Sequence, residues 1–278
     1  MKFMSTKKLL NNWKKKALAG LVGTLVLSAG IYINAEYTNP WYKWTHDKSY
    51  VPARLPTSAF REGPEFIAHA GGAIDGVLYT NSREAVEQAI RLGHRFIELD
   101  LKATIGGELY GCHSKREFNA RTGRSWLGHI PMTVGMVKSA KIDGRYTPIF
   151  LREVYEILKN HPDVYLVTDK VTDYAAIIEQ FPLPDQLIVE TFEPNQYYKA
   201  LAKGIKYVTF AGPFEELIKS KATLMVVGPN AWDNLRIREW HAQGNTPLLL
   251  QQEDCDNVDL PLGTLGYSDS CRPKTTLK

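Results

Sequence analysis

Phe96-Ile-Glu-Leu-Asp-Leu-Lys102 is the stretch from which the fold can be read. Side chains of a strand alternate between two faces. Ile97, Leu99 and Leu101 then share one face, suited to packing against helices, while Glu98, Asp100 and Lys102 share the other. Two carboxylates at i and i+2 stand roughly 7 Å apart along a strand, a spacing that can bracket one hard divalent cation. Two inward-facing anions without a counter-charge are costly in a closed interior. The competing reading is therefore structural, with Lys102 and other cations neutralising the pair.

Short apolar runs of the same kind recur on both sides of this stretch. They are Phe66–His69, Val164–Asp169, Leu187–Phe192, Tyr207–Phe210, Thr223–Val227, Pro247–Leu250 and Leu265–Tyr267. Helical candidates lie between most of them: Ser82–Leu92, Leu151–Asn160, Tyr174–Gln180, Asn195–Ala202 and Asn234–Ala242. Strands alternating with helices argue for a parallel sheet, and eight strands fit a (β/α)8 TIM barrel over residues 64–278. Residues 105–147 break the rhythm. Glu108–His113 could be one more short strand, and a long polar insertion follows, of the kind usually kept for function. Residues 115–147, with Arg116, Arg121 and Arg124, read either as part of a substrate wall or as a solvated loop. Trp126 and Trp232 could stack on a sugar, although core packing is the simpler reading of each.

In a parallel barrel, residues at the C-terminal ends of different strands converge on one mouth. Three such places carry chemistry. Asp169-Lys170 adds a third carboxylate and an ammonium, or else caps the next helix. His69, in Ile67-Ala-His-Ala-Gly-Gly72, ends the first strand. His113 follows the acidic strand. Asn81 or Ser82 opens the first helix as its cap; capping suits Asn81 better than a place in the pocket.

The net charge of +4 conceals an asymmetry. Residues 1–16 hold six Lys and no acid, which leaves 28 basic and 30 acidic residues elsewhere, or −2. A near-neutral body with a basic tail argues against nucleic-acid binding. Ala17–Ile33 is 17 residues without a charge, at the short edge of what crosses a bilayer. The preceding Lys place the N-terminus in the cytoplasm, and Trp41-Tyr42-Lys43-Trp44 suits the outer interface. The expected organisation is a basic cytoplasmic tail (1–16), a transmembrane signal anchor (17–34), a linker (35–63) and an extracytoplasmic barrel, periplasmic or extracellular (64–278). The alternative is a cleaved signal peptide, cut near Ser28-Ala29-Gly30 or after Ala35. Export permits a disulfide. Cys255 and Cys271 could pair, or all three thiols could be free.

The order and spacing of these pieces carry a resemblance. His69-Ala-Gly-Gly, Thr80-Asn-Ser-Arg-Glu-Ala, Glu98-Leu-Asp100, Gly111-Cys-His113 and Asp169-Lys170 together resemble the glycerophosphodiester phosphodiesterase family, a phospholipase-C-like TIM barrel. Gly266-Tyr-Ser-Asp269 looks like its last strand. The resemblance implies a phosphoric diester hydrolase with one divalent cation, Ca2+ or Mg2+, held by Glu98, Asp100 and Asp169. It implies His69 and His113 as the general acid–base pair and Lys170 as a phosphate contact, with Lys102 able to supply further charge. It also implies a phosphodiester substrate: a glycerophosphodiester, a phospholipid head group or a glycerophosphate polymer. Three departures stand out. Ala70 replaces the family's Arg, Ser114 replaces an Asp, and Asp169 and Lys170 are adjacent where the family has one residue between. Ala70 and Ser114 motivate a second reading, a non-catalytic protein binding a phosphorylated glycan or lipid head group; a third, on the same scaffold, is a lyase-like phospholipase acting on membrane lipid, its mouth held near the bilayer by the anchor.

Overall fold

Alternation along the strands sorts the apolar side chains into two buried clusters, and this sorting builds the barrel. The computed structural model describes residues 52–61, 65–210, 213–228, 234–250 and 261–271. The chain divides into Met1–Lys48 and Ser49–Lys278, and every described residue belongs to the second unit. The expected tail, anchor and most of the linker lie outside the described residues, as do Cys255 and Trp232. Among the described residues no helix is long and apolar enough to cross a membrane.

Nine strands are described: β1 (Glu65–Ala68), β2 (Phe96–Ala103), β3 (Leu109–Gly111), β4 (Tyr165–Asp169), β5 (Leu187–Val189), β6 (Tyr207–Phe210), β7 (Leu224–Val227), β8 (Thr246–Leu249) and β9 (Leu265–Ser268). Eight run parallel in the order β1-β9-β8-β7-β6-β5-β4-β2, and β1 also pairs with β2, which closes the cylinder. β3 folds back antiparallel on the far end of β2. Inside lie Ile67, Phe96, Tyr165, Val167, Ile188 and Tyr267, among others. Outside, Ile97, Leu99 and Leu101 pack in one cluster with Val86, Ala89 and Val154 of the helices. The stretch expected as linker is, over residues 52–61, part of this body: Leu55 and Ala59 join the interior cluster next to the strands' N-terminal ends.

The helices are α1 (Arg83–Arg91), α2 (Lys115–Arg121), α3 (Val134–Lys138), α4 (Leu151–Leu158), α5 (Tyr174–Gln180), α6 (Pro194–Ala202), α7 (Phe214–Ser220) and α8 (Leu235–Ala242). The cap of α1 is Ser82, which accepts from Ala85 N, and not Asn81. The insertion is more than a polar loop. β3, α2 and α3 enclose a third apolar cluster that includes Tyr110, Phe118, Leu127, Met132 and Val137. Trp126 is excluded from it and is 77% exposed, against the expectation of core packing. Cys112 is free and buried, and Cys271 is disulfide-bonded.

Candidate active site

The β2–β4 register sets Asp100 directly beside Asp169, and Glu98 stands two residues below Asp100 on the same face. The three buried carboxylates offer oxygens that all lie within 4.8 Å of one another. Each is balanced differently. Lys170 reaches back over the strand end, its Nζ 2.5 Å from Asp100 Oδ1 and 2.9 Å from Asp169 Oδ2. The turn requires a left-handed backbone at Lys170, with φ of 61°. Asn81 clasps Asp100 reciprocally: its Nδ2 donates to Asp100 Oδ2 at 3.0 Å and its Oδ1 accepts from Asp100 N at 2.9 Å. Asn81 therefore belongs to the pocket. Gly111 makes room for it, since a Cβ there would lie 2.4 Å from Asn81 O. Glu98 Oε2 accepts from the Ala70 amide at 2.8 Å.

Burial and crowding set the protonation of the cluster. Burial, then the neighbouring Asp100 and Asp169, hold Glu98 well above the usual carboxylate range. Burial would also raise Asp100, but the hydrogen bond and charge of Lys170, with Asn81, bring it below its ordinary value. Asp169 is pushed up to about 6 by burial and by Asp100. Burial would lower the Lys170 ammonium, but the two aspartates raise it instead. Lys102 acts on this balance only through its charge, which Asp169 and Asp100 attract and Lys170 repels. It is half-buried, forms no ion pair among the described residues, and is lowered by burial. The counter-charge expected of Lys102 comes from Lys170, because β2 carries Lys102 past the carboxylates onto the β3 hairpin.

Both histidines hold a carboxylate at Nδ1. His69 Nδ1 lies 2.9 Å from Asp269 Oδ1, and its Nε2 is 4.0 Å from Glu98 Oε2. Tyr79 Oη donates to the other oxygen of Asp269 at 2.7 Å. His113 Nδ1 lies 3.0 Å from Glu117 Oε2, and the charge of His113 helps to lower Asp100. Ser114, the departure beside it, caps α2 by accepting from Glu117 N. Asp269, Tyr79 and Glu117 were not singled out as site residues from sequence. Nor was Glu190 at the end of β5. It is buried, and burial together with Asp169 raises its carboxyl to about 8 against the opposing effect of Tyr267. The Tyr267 hydroxyl lies near Glu190 but outside full hydrogen-bond geometry.

The donor set fits a hard cation. The fit is marked by Asp169 Oδ1, a buried carboxylate oxygen with no hydrogen-bond partner, in a cluster of three acids held against one ammonium. Such an oxygen is expensive to leave unpaired, and oxygen ligands suit Ca2+ or Mg2+.

Set against solved structures, the chain superposes on a set of related barrels. The barrel is that of known glycerophosphodiester phosphodiesterase structures. The enzyme from Thermotoga maritima is 18% identical, with a TM-score of 0.60 over 75% of this chain and 96% of that one. The enzyme from Agrobacterium tumefaciens is 16% identical, with a TM-score of 0.58 over 75% and 96%. An Oleispira antarctica phosphodiesterase, solved in complex with its product sn-glycerol-3-phosphate, is 16% identical, with a TM-score of 0.57 over 73% and 92%. No family model and no curated protein sequence matches.

Proposed function

We propose that this chain is a metal-dependent phosphodiesterase that hydrolyses a glycerophosphodiester-type bond in a lipid head group or glycerophosphate-containing polymer. One observation carries the reading: two imidazoles, each tied at Nδ1 to a carboxylate, accompany a buried three-acid cluster at one mouth of the barrel. A phosphodiester is an inert anion. Its hydrolysis needs neutralised charge, an activated nucleophile and a protonated leaving group. Glu98, Asp100 and Asp169 would hold one Ca2+ or Mg2+, which when bound would supply Lewis-acid polarisation of a phosphoryl oxygen.

The chain's own residues do the rest. Asp269 accepts from Nδ1 of His69, which leaves the Nε2 lone pair on the side of the acids. There it would take the proton from the attacking hydroxyl, either water or the substrate's own glycerol hydroxyl. His113, oriented by Glu117, would donate to the departing oxygen. Lys170 would add a point charge beside the phosphate. The Arg that the resemblance leads one to expect is replaced by Ala70, whose amide is already committed to Glu98. In this reading the body is extracytoplasmic, tethered by residues 17–34.

The test is turnover of a glycerophosphodiester with Ca2+ or Mg2+ against a chelator control, for the parent chain and for H69A/H113A. Metal-dependent turnover that is lost in the double variant is the expected result. Binding without turnover under every divalent metal would favour a non-catalytic head-group binder, and full activity in the double variant would refute the acid–base assignment.

A further inference from the structure

The insertion differs from the rest of the body in charge and in surface. Residues 113–147 contain seven Lys and Arg against two acids, a net +5. Residues 17–278 together carry −2, so the remainder carries −7. Lys115, Arg116 and Arg124 form no ion pair among the described residues, and Arg116 is exposed. The stretch 105–147 also carries three large apolar side chains exposed to solvent: Trp126 at 77%, Ile105 at 65% and Ile130 at 57% exposure. Backbone hydrogen bonds tie their segments to one frame. Ile105 N donates to Met132 O and Ile130 N to Leu127 O, both at 3.0 Å. The buried Asn119 donates from Nδ2 to the carbonyls of Gly128 and Ile130. The patch lies on the mouth side of the barrel. β2 continues past Asp100, and Ile105 follows five residues later, at most about 17 Å beyond the carboxylate.

We propose that this surface docks the barrel mouth on a bilayer containing anionic lipid. Large apolar side chains kept exposed on one frame together with an excess of cations mark a binding surface. Cations alone would suit a soluble polyanion, but a Trp and two Ile held out in solvent would not. A Trp ring at a water–hydrocarbon boundary, flanked by Lys and Arg, matches an anionic lipid interface. The proposal is independent of the phosphodiesterase reading, because it concerns where the mouth sits and not what it cleaves.

The test places an environment-sensitive fluorophore on the full chain at Trp126→Cys, or at Ile218→Cys on α7 as a control. Cys112 is buried and Cys271 is disulfide-bonded, so the introduced thiol is the preferred target among the described residues. Quenching by nitroxide-bearing lipid is measured in phosphatidylcholine vesicles with and without phosphatidylglycerol. Any N-terminal tether brings both sites to the vesicle alike. Quenching at position 126 should exceed that at 218 several-fold and require phosphatidylglycerol. Adding R116Q/R124Q should lower the docking equilibrium roughly 25-fold, at about fivefold per cation. Equal quenching at both sites, or none that depends on phosphatidylglycerol, overturns the proposal. So does a fluorescence response to soluble polyglycerophosphate without quenching by vesicles.

Discussion

Replacing Glu190 by Gln removes an ionisation that the folded chain resists. In the unfolded chain this carboxyl titrates near 4.5, and in the fold near 8, chiefly because it is buried. Between those values the native state holds a proton that the unfolded state has released, so stability declines as pH rises. The contribution is intact below 4.5 and fully lost above 8. At about 1.4 kcal/mol per pH unit, the loss is about 3 kcal/mol at pH 7 and about 5 kcal/mol above pH 8, but under about 1 kcal/mol at pH 5. Gln keeps the size and cannot ionise. E190Q should therefore match the parent at pH 5 and exceed it by about 3 kcal/mol at pH 7 and more at pH 8.5. Equilibrium urea unfolding of chelator-treated protein at the three pH values measures this. A difference that does not grow with pH, or a variant less stable at pH 8.5, would refute the reasoning.

Asp269→Asn should lower kcat about 10–100-fold with little change in KM, because the partner that fixes the His69 tautomer is lost while the acids stay in place; an unchanged kcat would show that the contact is idle. Ca2+ or Mg2+ affinity, followed by calorimetry, should rise from pH 5 to pH 7. Asp169 holds its proton to about 6 and must release it to become a ligand; a flat affinity over that range contradicts this. Gly71→Ala should cost about 1–3 kcal/mol in chemical unfolding. Its φ is 86°, and a Cβ there would stand 2.9 Å from the Ala85 Cβ; a neutral substitution would mean that the loop after β1 gives way easily.

Much of the barrel was legible because period-2 alternation and burial on both faces leave clear apolar runs. Tyr207–Phe210 and Tyr174–Gln180 fall on the expected residues. The carboxylates of β2 were legible for the same reason, since charge inside an apolar strand has few innocent explanations. α7 was missed, and the insertion read as a polar loop, because Tyr110, Phe118 and Met132 are too scattered in sequence to announce a shared core. Asn81 was misassigned because a cap and a ligand clasp use the same residue type; only the approach of β2 to the loop after β1 separates them. Lys102 and Lys170 were indistinguishable as neighbours of the acids until the left-handed turn at Lys170 folded its side chain back. Glu190 looked like part of an ordinary strand end, and nothing local shows that β5 aims it at the same interior as Asp169. Pairing of His69 with Asp269 spans 200 positions and exists only because the cylinder closes.

That closure has a consequence for the chain during its own synthesis. β9 fills the gap between β8 and β1, so the strand made after the other eight described strands both seals the wall and delivers the carboxylate that steadies the first imidazole. A nascent chain that has made every acid of the cluster still lacks this partner. Closure thus waits on β9, and a chain cut short before Leu265 would be unsealed and would lack the partner of His69.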